Sequence, residues 1–285
     1  MNVKNTFLTG VFSIVALTAC TIPGTMDNHE TENSNPSPTI STTAKTESEF
    51  PQLDLRSIMS KVHSRYPGQV GIAISDGRTD QEAGATDAVP AWSTSKVPLA
   101  IAALRKDPSL KDTVTAAITR SDNSSAEKLW SALGTPQSAA TAVSQVLSEG
   151  GVTALVQSSV VRPGFSSFGQ TMLSPAQEAH FAANLHCIQG AETVIGLMGQ
   201  VESDQAYGMG TLAGAKFKGG WGPTPEGGYE ARQFGTVEVA GSPVALALWV
   251  RPDAGDYGTA QQALNLLAKE LEPVLQQAPR VSQKC

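Results

Sequence analysis

The chain has 285 residues, 40% of them hydrophobic and 16% charged, with a formal net charge of −6. That length suits one large domain or two closely packed ones. A mildly acidic chain without a basic stripe lacks the groups that neutralise phosphates, so nucleic acid is not an expected partner.

At the N-terminus Lys4 precedes an apolar run, Phe7 to Ala16, which leads into Leu17-Thr18-Ala19-Cys20. One positive charge, a short apolar stretch and small residues predict an export signal over residues 1–19. The run is too short for a mature membrane span. Leu17-Thr18-Ala19-Cys20 resembles the lipobox of bacterial lipoproteins. The resemblance implies cleavage before Cys20, diacylation of its thiol and anchoring outside the cytoplasm on a bacterial cell membrane. Residues 20–50 are rich in Thr, Ser, Asn, Pro and Glu and are expected to form a disordered tether. The folded domain is expected over 51–285.

Leu55, Ile58, Met59, Val62 and Tyr66 follow helical spacing, which predicts a helix over Leu53 to Tyr66. Pro67-Gly68 ends it, and Gln69 to Gly77 reads as a strand and turn. A weaker second strand lies around Gln81 to Thr86. Ser93 to about Gly150 is Ala- and Leu-rich and reads as helical, broken at Asp107-Pro108 and Gly134-Thr135-Pro136. Residues 151–174 read as loop, and Ser174-Pro175 opens a helix running to about Cys187. Ala213–Trp221, Tyr229–Val239 and Pro243–Val250 predict three strands joined by Gly-rich turns. An amphipathic helix over Tyr257–Leu275 closes the chain. This order predicts an α+β fold. A sheet-and-helix lobe over 51–90 and 190–285 receives a helical lobe over 91–189.

Ser93 and Lys96 stand three residues apart at the start of a helix, on one face, so the amine can take the hydroxyl proton. The helix N-terminus adds positive potential beside the serine. Pro98, early in the same helix, deprives the Thr94 carbonyl of its usual partner. Arg120-Ser121-Asp122-Asn123-Ser124-Ser125-Ala126 follows, with Ser121 lying 28 residues beyond Ser93, and Phe217-Lys218-Gly219-Gly220-Trp221 falls on a predicted strand. Ser-x-x-Lys, Ser-Asp-Asn and Lys-Thr-Gly in this order mark class A β-lactamases and penicillin-binding proteins; here the third motif is Lys-Gly-Gly.

In these motifs the chain resembles the penicillin-recognising serine hydrolases, class A β-lactamases above all, over about residues 52–278. The resemblance implies the β-lactamase/D-Ala-peptidase fold: an antiparallel sheet flanked by helices beside an all-α lobe, with the site between. It implies Ser93 as the acylated nucleophile, Lys96 as its base and Ser121 as proton relay to the leaving nitrogen. Asn123 would bind Lys96 and substrate, and Lys218 would hold the substrate carboxylate and the Ser121 hydroxyl. Gly219 and Gly220 would admit substrate along the strand edge, and the N–H groups of Ser93 and Trp221 would form the oxyanion hole. Arg232 is implied as a second carboxylate contact. A small β-lactam or peptidoglycan-like amide or ester is the implied substrate, with a monomer as the working unit and no metal or cofactor.

The departures from the family are specific. The interval between Ser93 and Ser121 is about half that of class A enzymes, so the helical lobe is trimmed. Gly219 replaces a hydroxyl residue. The family's deacylating glutamate belongs to a loop matching Gly150 to Gln177, where this chain has no Asp or Glu. Glu149 and Glu178 flank the gap and read as helix-surface residues. Slow deacylation is therefore expected, and a D-Ala peptidase, an esterase or a non-catalytic lipoprotein on the same fold are the alternatives.

Two cysteines besides Cys20, Cys187 and Cys285, are a candidate disulfide or two free thiols. His29, His63, His180 and His186 show no ligand spacing. Gly164-Phe165-Ser166-Ser167 lacks the pattern of a nucleophile elbow.

Overall fold

The computed structural model describes residues 51–285; the expected signal at 1–19, the lipidated Cys20 and the tether at 20–50 lie outside the described residues. Among the described residues no helix is long and apolar enough to cross a membrane.

Helix α1 (Leu55–Arg65) buries Leu55, Ile58 and Val62, and Asp54 caps it by accepting from the Ser57 N–H. Strands β1 (Gly68–Ser75) and β2 (Asp80–Gly84) form a hairpin. A short strand β3 (Val89–Pro90) leads into a 3₁₀ turn, Trp92–Ser95, and then helix α2 (Lys96–Lys106). Pro98 falls in the first turn of α2, where an N–H is dispensable, and the Lys96 N–H reaches the Ser93 and Thr94 carbonyls instead. Helices α3 (Lys111–Thr119), α4 (Asn123–Ala132) and α5 (Pro136–Glu149) follow.

After a long loop, strand β4 (Met172–Leu173) pairs with β3 and precedes α6 (Pro175–Asn184), whose Ser174 and Gln177 form a reciprocal cap. Helix α7 (Glu192–Met198) lies in a stretch to which the sequence pattern assigns no element. Strands β5 (Lys216–Pro223), β6 (Tyr229–Val239) and β7 (Ser242–Pro252) then run into α8 (Tyr257–Leu275).

The five-stranded sheet is antiparallel in the order β2-β1-β7-β6-β5, which brings strands from both ends of the sequence together and leaves β5 at an edge. Its two faces differ in side-chain size for a packing reason. Ile72, Ile74, Leu246 and Leu248 face the cluster completed by α1 and α8, whereas Ala73, Ala245 and Ala247 join the cluster that contains α6. Small residues let α6 come close: a Cβ on Gly71 would stand 3.2 Å from Pro175 Cγ.

The lobe boundary expected near residue 189 is corrected by this packing. Helix α6 lies on β1, β6 and β7, so it belongs to the sheet. Helix α7 packs on α3, placing Val194, Leu197 and Met198 in the same apolar cluster as the helical part. Cys187 and Cys285 are disulfide-bonded across a separation of 98 residues. Closing a loop of that size stabilises the fold by about 2–4 kcal/mol.

Candidate active site

The turn carrying Ser93 is held from three sides. Trp92 adopts a left-handed backbone, with φ of 51°, which a non-glycine residue keeps only when its surroundings enforce it. Its buried indole N–H donates to Glu230 Oε1 at 2.8 Å, and the Phe165 ring meets the indole edge-on at 5.2 Å between centroids. A Cβ on Gly222 would come within 2.4 Å of the indole, so glycine makes room for it on β5. Gly220, two residues earlier on the strand, makes room for the serine: its Cβ would stand 2.9 Å from the Ser93 nitrogen. The strand edge therefore lies backbone against backbone beside the serine. Among the described residues neither the Ser93 hydroxyl nor its N–H has a hydrogen-bond partner in the protein.

Two lysines meet at Ser121. This residue is also left-handed, with φ of 56°, which breaks the chain between α3 and α4. Asp122 caps α4 through the Ser125 N–H at 2.6 Å. Lys96 Nζ donates to the Ser121 carbonyl at 2.5 Å, to Asn123 Oδ1 at 2.7 Å and, more weakly, toward Ser121 Oγ at 3.4 Å. Lys218 Nζ donates to Ser121 Oγ at 2.8 Å and to the Gly219 carbonyl at 2.9 Å. Both lysines are buried, at 1% and 0% exposure. Burial lowers Lys96 to about 8, against an opposing pull from Asp122 and Glu127. Burial and the Lys96 charge push Lys218 well below the ordinary lysine range.

These elements border a cleft of about 630 Å³, lined by Ser93, Asn123, Phe165, Trp221 and Tyr229 among others. Trp221 stacks on Tyr257 at 5.2 Å. The loop between α5 and β4 forms one wall. Gln170 organises that loop: its amide donates to the carbonyls of Arg162, Phe165 and Ser166 and accepts from the Arg162 N–H. Arg162 stacks over Phe165 at 4.7 Å and donates to the Pro223 carbonyl, joining the loop to β5.

Of the residues singled out in the sequence, Ser93, Lys96, Ser121, Asn123, Lys218, Gly220 and Trp221 come together here. Gly219 stands among them with space to spare, since a Cβ there would meet nothing nearer than 3.8 Å. Arg232 does not join them, which corrects its expected contact with substrate. Its side chain is 1% exposed, pairs with Glu178 at 2.7 Å and donates to the carbonyls of Val89, Pro90 and Leu173. Glu178 is corrected with it: far from lying on a helix surface, it is 2% exposed and also accepts from Thr94 Oγ1 at 2.5 Å. Glu149 does lie on a helix surface, bound to Arg105.

Among the cleft residues that the sequence did not single out, Glu127 is the one that carries a charge. Glu127 lines the cleft with Ser93 and Asn123. Its position four residues beyond Asn123 was the available signal, because that spacing shares a helix face.

The described histidines lie elsewhere, and His29 falls outside the described residues: His180 Nδ1 lies 3.1 Å from Asp80, and His63 Nδ1 lies 3.0 Å from the Gly68 carbonyl. His186 sits beside Cys187 and Cys285, whose sulfurs are joined to each other.

No protein-family model matches the chain, and no curated protein sequence matches it. Solved structures do. A class A β-lactamase representative from Bacteroides cellulosilyticus superposes with a TM-score of 0.64 at 14% identity, over 79% of this chain and 99% of that one. A β-lactamase from Streptosporangium roseum gives 0.60 at 16% identity, over 78% and 98%. A β-lactamase from Xanthomonas campestris pv. campestris gives 0.58 at 17% identity, over 78% and 97%. With an antiparallel sheet flanked by helices and nearly the full length of these structures matched, the chain has the fold of the class A β-lactamases.

Proposed function

We propose that the protein is a β-lactamase-like serine hydrolase, working through a Ser93 acyl-enzyme on β-lactams or related amides. The observation that carries this reading is the buried Lys96–Ser121–Lys218 network beside a Ser93 hydroxyl that has no protein partner among the described residues. In its neutral form Lys96 takes the Ser93 proton as Oγ bonds to the carbonyl carbon. The Ser93 N–H, without a partner among the described residues, is available to the oxyanion. As the carbon–nitrogen bond breaks, Ser121 Oγ passes the proton from Lys96 to the leaving nitrogen, and Lys218 steadies that hydroxyl at 2.8 Å.

The loop over 151–174 brings no carboxylate to the cleft, which supports slow release of the acyl group. That same observation favours the second reading, a D-Ala peptidase or esterase of the cell wall. A non-catalytic binding module is disfavoured, because two buried amines with only neutral acceptors are hard to reconcile with a purely structural role. Residues 17–20 support a lipid anchor at Cys20 and a place outside the cytoplasm, and the fold fits a small substrate and a monomer.

Incubation with a penicillin followed by intact and peptide mass spectrometry tests the reading. The expected result is an adduct on the peptide containing Ser93, absent in Ser93→Ala. Neither adduct nor turnover with β-lactams or D-Ala esters would reject it.

A further inference from the structure

We infer that Glu127 is the general base that activates water for release of the acyl group from Ser93. The inference rests on the acyl-enzyme reading and supplies the group that the loop lacks.

Four observations converge on this residue. Glu127 is the one carboxylate among the described residues that line the cleft with Ser93. It stands on α4 one turn beyond Asn123, whose Oδ1 is bonded to Lys96. It has no hydrogen bond or ion pair among the described residues, so its oxygens are open to a water molecule. The neighbouring acids are committed elsewhere: Asp122 caps α4, Glu230 accepts from Trp92, and Glu178 is bonded to Arg232 and Thr94.

The electrostatics agree with the geometry. Partial burial in the cleft raises the Glu127 carboxyl above its ordinary range, while the Lys96 charge draws it back. Its exposed side keeps the carboxylate within reach of water, and the raised proton affinity makes it a better proton acceptor than an unperturbed carboxylate. The hydroxyls of Ser158, Ser166 and Ser167 line the same cleft and offer further partners to a water held there.

The step balances as ordinary ester hydrolysis. The water oxygen bonds to the acyl carbon and gives one proton to Glu127. The tetrahedral intermediate collapses, the carbon–Oγ bond breaks, and its electron pair stays on Ser93 Oγ. That oxygen takes back the proton from Glu127 by way of the Lys96 amine. The product leaves as a carboxylic acid and ionises in solvent.

The test compares the unaltered protein with Glu127→Gln and Glu127→Asp, using one penicillin and time-resolved mass spectrometry. Folding is checked by thermal denaturation. Glu127→Gln keeps the shape and loses the base. It should acylate within about threefold of the unaltered rate, and its Ser93 adduct should persist about 10²–10⁴-fold longer. Glu127→Asp, which retains a carboxylate, should fall between the two. The rise of adduct decay with pH should vanish in Glu127→Gln alone. An adduct lifetime within threefold of the unaltered protein, or acylation slowed as much as release, would overturn the role of Glu127 while leaving the acyl-enzyme intact. Absence of both adduct and turnover in the unaltered protein would overturn the acyl-enzyme reading and this inference together.

Discussion

Two pairs of buried charged side chains flank the residues of the Ser93 turn, and they follow opposite rules. Arg232 and Glu178 carry opposite charges and fill each other's hydrogen-bonding capacity. The guanidinium meets the carboxylate through Nε at 2.9 Å and Nη2 at 2.7 Å, and its remaining donors reach three backbone carbonyls at 3.0 Å. Glu178 then accepts from Thr94, the residue after Ser93. Lys96 and Lys218 carry like charges, and every acceptor around them is a carbonyl, an amide or a hydroxyl. Burial favours their neutral forms and outweighs the pull of Asp122 and Glu127 on Lys96, which makes a base available near neutral pH. A charge-matched ion pair braces the turn, whereas the two amines beside it are held by neutral acceptors alone. Both pairs are buried; the difference in chemistry comes from the partners and from an amine's ability to lose the proton that a guanidinium keeps.

Lys96→Arg should break the reactive side most severely. Guanidinium keeps its proton at any working pH, so acylation of Ser93 should fall by about 10²–10⁴-fold while the fold persists. Stopped-flow acylation with a chromogenic β-lactam measures this, and a rate within tenfold of the unaltered protein would assign the base to another group.

Arg232→Met should break the structural side. Removing one partner of a buried pair leaves the Glu178 charge uncompensated, which costs about 3–5 kcal/mol. Urea denaturation should record that loss, and adding Glu178→Leu should restore much of it. A variant of unchanged stability that bound carboxylate-bearing substrates more weakly would return Arg232 to the substrate role implied by its sequence position.

The smallest effect sharpens the comparison through pH. Lys96 titrates at about 8, below its ordinary range, so the neutral fraction grows as pH rises toward that value. Acylation should rise about tenfold per pH unit below that value and level off above it. Stability should move in the same direction. Between about pH 8 and the ordinary lysine range the unfolded chain binds more protons than the folded one, so folding becomes more favourable as pH rises. A flat acylation profile from about two units below that pKa to one unit above it would contradict the neutral-amine mechanism.

Much of this was legible in the chain. The Ser93–Lys96 spacing, the order of the three motifs and the closing helix Tyr257–Leu275 are local patterns, because a helix or strand writes its buried face into nearby residues. The break at Ser121 was less visible. It depends on a left-handed serine, a conformation held by surroundings that lie far off in sequence. Glu127 was hidden for a related reason: helical spacing aligned it with Asn123, but only the loop wall and β5 turn that helix face into one side of a cleft.

By itself, then, the sequence determined which residues could perform acyl transfer and that the expected loop carries no carboxylate. Tertiary structure decided which of the charged groups are free to act. It buried Arg232 against Glu178, left Glu127 open beside Ser93, joined Cys187 to Cys285 and laid α6 on the sheet. The physical reason is that desolvation and pairing set the reactivity of a charged side chain. Both are fixed by groups that arrive from distant parts of the chain.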